Sequence, residues 1–186
     1  MTDSKKNTRK NTRKNKRLSP LTNKNTRKLK KIQHHHLLLR VETKTCPQHN
    51  EKHVARAMVS NIIKDIRMKP LDTPKIYYVK LPRYNEGLTA ITPIQTSHIA
   101  FHFWNRPERS ILHHKDSHCL LEFDLYTCGT MTSRHIQRIL HHLSQFHPTH
   151  INATLLNRNR SLTIEKQRTW DITQGPWTDW VRRFAQ

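Results

Sequence analysis

The sequence predicts an α+β fold, a two-layer sandwich in which two helices cover one face of a largely antiparallel sheet. Six segments rich in β-branched and aromatic residues read as strands, two windows repeat apolar residues at helical spacing, and the order is β-α-β-β-β-β-α-β. A chain of 186 residues suits one domain of ordinary size, large enough for a real core once its tails are set aside.

The first strand is the apolar run His36 to Val41. Val54, Met58, Ile62 and Ile66 then recur every four residues and give one helical stripe. Pro70, Pro74 and Pro82 punctuate the stretch around the next strand, Ile76 to Leu81. Leu88 to Ile94, Ser97 to Trp104 and Cys119 to Thr127 follow as strands. Asn105 to Ser117, with Pro107 and many charged or imidazole groups, is the loop between the last two. A second helix starts near Thr132 or Ser133, either a suitable N-cap, and Ile136, Ile139, Leu140, Leu143 and Phe146 form its apolar face. His147-Pro148 ends it, and Ile151 to Leu156 supplies the last strand. After Gly175-Pro176, where proline suits a first helical turn, Trp177, Trp180, Val181 and Phe184 fall at helical spacing. This Trp-rich amphipathic helix is expected to pack back on the domain, with docking to a partner or a membrane surface as the alternative. The expected organisation is a disordered basic arm over 1–33, a folded domain over 34–156 and a C-terminal extension over 157–186.

The basic arm concentrates charge. Residues 1–31 hold thirteen Lys or Arg against the single Asp3, so twelve of the twenty-one net positive charges sit there. Asn-Thr-Arg-Lys recurs at Asn7, Asn11 and Asn25, and the segment has too few apolar residues to fold alone. Such an arm attracts polyanions through Coulomb attraction and counterion release, or remains a solvated tail. No apolar run approaches the ~20 residues of a membrane span and the basic start lacks an apolar segment behind it, so a cytoplasmic protein is expected.

Three cysteines, Cys46, Cys119 and Cys128, contain no Cys-x-x-Cys pair, which disfavours a disulfide scaffold. Histidines cluster at His34 to His36, His113-His114 and His141-His142 and invite a metal reading. Adjacent histidines on a strand point to opposite faces and zinc ligands usually come at defined spacings, so no metal ligand is assigned.

The strand from Ser97 carries the candidate chemistry. Alternation puts His98, Ala100, His102 and Trp104 on one face and Ile99, Phe101 and Phe103 on the other. Ser97 falls on the apolar parity, so it joins His102 only if the chain bends at its own position. A hydroxyl nucleophile, an imidazole, a tryptophan and the thiol of Cys128 are the parts of one small site; the bland reading is that His102 and Trp104 are ordinary residues of a half-buried sheet.

The ensemble over His36 to Leu156 resembles the prokaryotic type of S-adenosylmethionine decarboxylase, a pyruvoyl-dependent family. Its strand signature is Glu-Ser-His-x-x-x-His-Thr-Trp-Pro-Glu followed by Asp-x-x-Thr-Cys-Gly. Ser97-His98, His102, Trp104, Asp124 and Thr127-Cys128-Gly129 match it, and Gly87-Leu88-Thr89 resembles its Gly-x-Ser/Thr. The resemblance implies a sandwich of the same kind and a proenzyme that cleaves itself between Thr96 and Ser97, leaving a β chain and an α chain capped by a pyruvoyl group. It implies that Ser97 is the pyruvoyl precursor that forms the Schiff base with a small-molecule amine, that His102 and Thr89 serve processing, and that Cys128 returns a proton after loss of carbon dioxide. It implies a homodimer with sites at the subunit interface and a role in spermidine biosynthesis. Cys46 and Cys119 are expected to be inert.

The departures fall on substrate recognition. Thr96 stands where the family has Glu, Asn105-Arg106 replaces Pro-Glu with Pro107-Glu108 displaced by two, and Arg83 replaces an aromatic with Tyr84 beside it. Trp104, Tyr84 and Glu108 are therefore the expected substrate-binding residues. Two alternatives stay open: a pyruvoyl decarboxylase of arginine or ornithine, and an unprocessed, non-enzymatic basic homologue that binds nucleic acid or regulates a partner.

Overall fold

A computed structural model describes residues 32–80 and 86–186. All but the last two residues of the expected basic arm, together with Arg83 and Tyr84, lie outside the described residues. The described strands are β1 (His35–Thr43), β2 (Lys75–Val79), β3 (Gly87–Ile94), β4 (Ser97–Trp104), β5 (Cys119–Thr127), β6 (Pro148–Asn157) and β7 (Thr163–Asp171). They form one sheet in the order β2-β3-β4-β5-β1-β6-β7, and every neighbouring pair is antiparallel. Three helices of eight or more residues accompany them among the described residues: α1 (Lys52–Asp65), α2 (Ser133–Leu143) and α3 (Trp177–Ala185).

Side-chain alternation gives the sheet two unlike faces. Leu37, Leu39 and Val41 of β1, Ile99, Phe101 and Phe103 of β4, and Leu121, Phe123 and Leu125 of β5 are all buried in one core. Ala55, Met58 and Ile62 of α1 and Ile136, Ile139, Leu140 and Leu143 of α2 complete it from the helix side. Removing one of the large side chains, such as Phe101, forfeits its burial and leaves a void, a cost of about 3–5 kcal/mol. The opposite face, with Leu38, Arg40, His98, Ala100, His102, Glu122 and Asp124, is half-buried to exposed, and none of these three helices covers it. Among the described residues, Thr89, His98, His102 and Trp104 share that face.

The C-terminal residues extend both layers. β7 pairs with β6 and was not expected as a strand, because Thr163–Asp171 is exposed on both faces apart from buried Trp170 and half-buried Lys166 and Asp171. An edge strand is held by its hydrogen-bond ladder and shows no hydrophobic alternation. Trp180, Val181 and Phe184 of α3 join the core beside Trp170, with Trp180 and Phe184 stacked at 5.2 Å. Residues 32–186 thus make one compact unit, and the extension over 157–186 is continuous with the domain. β6 begins at Pro148, three residues earlier than expected, because His147 takes a left-handed conformation (φ 53°) and turns the chain straight into the strand.

Two tethers fix the long loop between β4 and β5. Glu42, fully buried at the end of β1, accepts hydrogen bonds from the backbone N–H groups of His113 and His114, the His113 ring, Ser117 Oγ and Arg40. Burial pushes its carboxyl up, but these donors outweigh that effect and bring it down to about 2. The second tether corrects an expectation: Cys46 and Cys119 are not separate inert thiols but a disulfide, and Cys128 is free. The β1–β5 register sets Thr43 opposite Cys119, so Cys46, three residues past the strand, arrives beside a residue 73 positions away. An odd cysteine count does not forbid one bridge and one thiol.

Because the Glu42 pKa falls on folding from 4.5 to about 2, its contribution is complete above pH 4.5 and is lost as pH drops towards 2. Glu42→Gln should therefore lower unfolding free energy at pH 7 by roughly 3 kcal/mol and flatten the acid limb between pH 4.5 and 2, read by urea melts across pH. Cys46→Ala should lower stability by about 2–4 kcal/mol in the same assay under non-reducing conditions and abolish the mobility difference between reduced and non-reduced gels.

Candidate active site

Ser97 opens β4 at the hairpin from β3, where Ile94 pairs with Ser97 and only Gln95 and Thr96 span the turn. Ser97 has φ 151°, a region L-residues rarely adopt. Its hydroxyl lies by His98 and not by His102, with Ser97 Oγ 3.2 Å from His98 Nδ1. His98 Nε2 lies 3.4 Å from Asp124 Oδ1, and the other carboxylate oxygen meets His36 Nε2 at 2.9 Å. A hydroxyl, an imidazole and a carboxylate are thus neighbours, although Asp124 Oδ1 accepts no hydrogen bond from His98.

β5 supplies the second half of this end. Ser97 pairs with Thr127, and just beyond the strand the Cys128 N–H donates to the Thr96 carbonyl at 2.9 Å. The amide polarises that carbonyl bond. Gly129 N–H donates to Thr127 Oγ1 at 2.9 Å, and a Cβ on Gly129 would lie 3.2 Å from that oxygen and 3.4 Å from Thr96 Cγ2. Glycine therefore lets the Cys128 turn close against Thr96. The Cys128 thiol is free and half-buried in this turn.

The remaining expected residues gather elsewhere. Thr89 of β3 faces His102 of β4 in register, with Thr89 Oγ1 2.9 Å from His102 Nδ1. The His102 and Trp104 rings lie 5.4 Å apart. Gly87 opposes Trp104 where a Cβ would fall 1.7 Å from the Phe103 carbonyl oxygen, so only glycine permits this closeness of β3 and β4. Glu108 is exposed in the loop ahead of a turn at Arg109–Ile111. Tyr84 lies outside the described residues.

Ser97 and His102 are five residues apart on an extended strand, a separation of about 16 Å at ~3.3 Å per residue. The candidate residues thus fall into two groups, Thr96–Ser97–Cys128 at one end of the open face and Thr89–His102–Trp104 at the other. Between them lies a cavity of about 390 Å³ lined by Leu38, Arg40, Ala100, His102, Glu122 and Asp124 among others. The partnership of His98, Asp124 and His36 was missed at the sequence level. Its signal was present in the adjacent Ser97-His98 pair and in the even parity shared by His36, His98 and Asp124.

Among the described residues no helix is long and apolar enough to cross a membrane. No curated protein matches the chain. A family model for S-adenosylmethionine decarboxylase matches residues 36–159, a span running from β1 to just past β6 and containing both groups. With two thirds of its length covered by that match and a one-sided antiparallel sheet of the same α+β kind, the chain belongs to the S-adenosylmethionine decarboxylase family.

Proposed function

We propose that the chain is a self-processing, pyruvoyl-dependent decarboxylase of S-adenosylmethionine that feeds polyamine synthesis. The observation that carries this reading is the Thr96–Ser97 bond: its carbonyl accepts the Cys128 N–H, the residue after it has a strained φ, and that residue's hydroxyl touches an imidazole beside Asp124.

Ser97 Oγ adds to the Thr96 carbonyl carbon as His98 Nδ1 takes the hydroxyl proton, and the Cys128 amide holds the developing oxyanion. The Thr96–Ser97 C–N bond then breaks, Ser97 N gains a proton, and an ester joins the two parts. Loss of the Ser97 Cα proton to His102 and cleavage of Cβ–Oγ release the Thr96 carboxylate, and water converts the remaining imine to the pyruvoyl group with loss of ammonia. The pyruvoyl carbonyl supplies the electron sink for decarboxylation. The chain's own groups do the rest: Cys128 Sγ holds the proton returned to substrate carbon, and Trp104 offers a flat face to the substrate's nucleoside part.

The ~16 Å between the two groups of residues supports a homodimer. A homodimer with its two-fold axis through the open face near Ala100 sets Ser97 and Cys128 of one subunit beside Thr89 and His102 of the partner subunit, twice by symmetry. Trp104 and the cavity at Ala100 then line a shared site.

Denaturing gels and intact mass should show the 22.2 kDa chain giving fragments 1–96 and 97–186, the latter blocked at its N-terminus. Ser97→Ala should remain one chain, and His98→Gln should cleave roughly 100-fold more slowly; a wild-type chain that stays whole overturns the reading. Ser97→Ala and His102→Ala, each uncut alone, should on co-expression restore cleavage of the His102→Ala chain, because the mixed dimer rebuilds one complete site. Failure of that rescue in isolated mixed dimers rejects the shared site.

A further inference from the structure

Beyond the two groups of candidate residues, one cluster on the open face has no part in the proposed chemistry. Glu42 of β1, His113 of the long loop and His150 of β6 each bring one ligating atom within 4.8 Å of the others. The row of paired residues Leu120, Glu42 and His150 places β5, β1 and β6 side by side here, and Glu42 draws the loop over the row through the His113 and His114 amides. His113 and His150 rings stack at 4.4 Å. Stacked rings 11° from parallel hold their in-plane nitrogen lone pairs side by side, so His113 must swing out of the stack before both imidazoles can face one ion beside the buried carboxylate.

His150 gives the independent sign. Its side chain is 9% exposed, and its Nδ1 is buried with no hydrogen-bond partner among the described residues. Buried polar atoms are almost always partnered, so one left open calls for an unseen occupant. Asp171 Oδ2 lies 3.6 Å from that nitrogen, beyond hydrogen-bond length, and adds a second carboxylate. The other Asp171 oxygen is already engaged by Thr173.

We propose that Glu42, His113 and His150 bind a divalent transition-metal ion, zinc in first place. Two imidazoles and a carboxylate are a borderline-to-hard donor set that suits zinc and excludes calcium or magnesium as the preferred ion. Ligand atoms around tetrahedral zinc stand about 3.4 Å apart, as follows from bonds of ~2.0–2.2 Å, so the 2.7 Å His113 Nδ1–Glu42 Oε1 pair must open while any wider gap within the 4.8 Å cluster closes. His113 is the member able to move: its side chain is 55% exposed, whereas Glu42 is fully buried. The ion takes the place of the ring proton now shared by His113 Nδ1 and Glu42 Oε1 at 2.7 Å, and His113 then carries its proton on Nε2. Arg40, also on Glu42 Oε1 at 3.0 Å, can remain with the adjacent Glu122.

Bound here, the ion ties the long loop to β1 and β6. Its test is made on the full chain, stripped with EDTA under non-reducing conditions and dialysed against zinc sulfate buffered at micromolar free zinc. Mass-spectrometric metal analysis should find one retained equivalent. His113→Ala, a surface change that leaves the core intact, should weaken retention at least tenfold, as should His150→Gln, while His141→Ala should not. Cobalt(II) added to the stripped chain should give the visible absorption of a low-coordinate site, lost in His150→Gln. No retained equivalent, or retention unchanged in His113→Ala, overturns the proposal. Metal content is read whether or not the chain cleaves itself, so this result is separate from the outcome for processing.

Discussion

The register between β4 and β5 is the constraint on which the rest depends. Setting Ser97 opposite Thr127 brings the Cys128 amide onto the Thr96 carbonyl, and the same ladder carries Asp124 to the neighbourhood of His98. A slip by one residue would turn every side chain of β4 to the other face, placing Phe101 and Phe103 in solvent and His102 in the core. The apolar side chains that bind the sheet to the helices therefore also fix the geometry around the Thr96–Ser97 bond. Stability and chemistry share one set of interactions, and the register cannot drift without losing both.

The same constraint holds Ser97 and His102 apart within one chain. A β-strand is the longest way to connect two residues, so five positions along β4 separate Ser97 from His102 by about half the span of a small domain's sheet. No rotamer of either residue closes ~16 Å. The uncovered face, with exposed His102, half-buried Trp104 and exposed Ile91 and Tyr77, has both apolar and polar surface to give to a second copy. Two antiparallel copies of a strand with functional groups at each end are self-complementary, which is the condition for a two-fold interface.

Sequence patterning revealed what is local and repeated. His98 to Trp104 alternates so cleanly that both the strand and its two faces can be read directly, and α2 is legible from Ile136, Ile139, Leu140 and Leu143 on one stripe. β7 is not legible, because an edge strand exposed on both sides needs no apolar period. The Cys46–Cys119 bridge and the Glu42–His113–His150 cluster are equally hidden, since their members meet only through strand registers that join distant segments. At the site, residue types were legible and their grouping was not. The sequence places Ser97 and His102 close together along the chain; extension pulls them apart and puts His98, one position away, in the nearer role.

The departures from the family pattern take on a physical order in this frame. Thr96 is compatible with the proposed processing because its carbonyl is held by the backbone of Cys128, while its hydroxyl turns to Met68 Sδ at 3.7 Å. A side chain that points away from the reacting atoms tolerates replacement. Asn105, Arg106 and the long loop lie at the opposite end, and the loop is anchored by Glu42 rather than by the strand that carries Ser97. Changes there can reshape the surroundings of Trp104 without disturbing the Thr96 carbonyl. The two groups of residues lie ~16 Å apart along one strand, so in the proposed enzyme recognition at one end is free to vary while the Thr96–Ser97 bond at the other keeps its geometry.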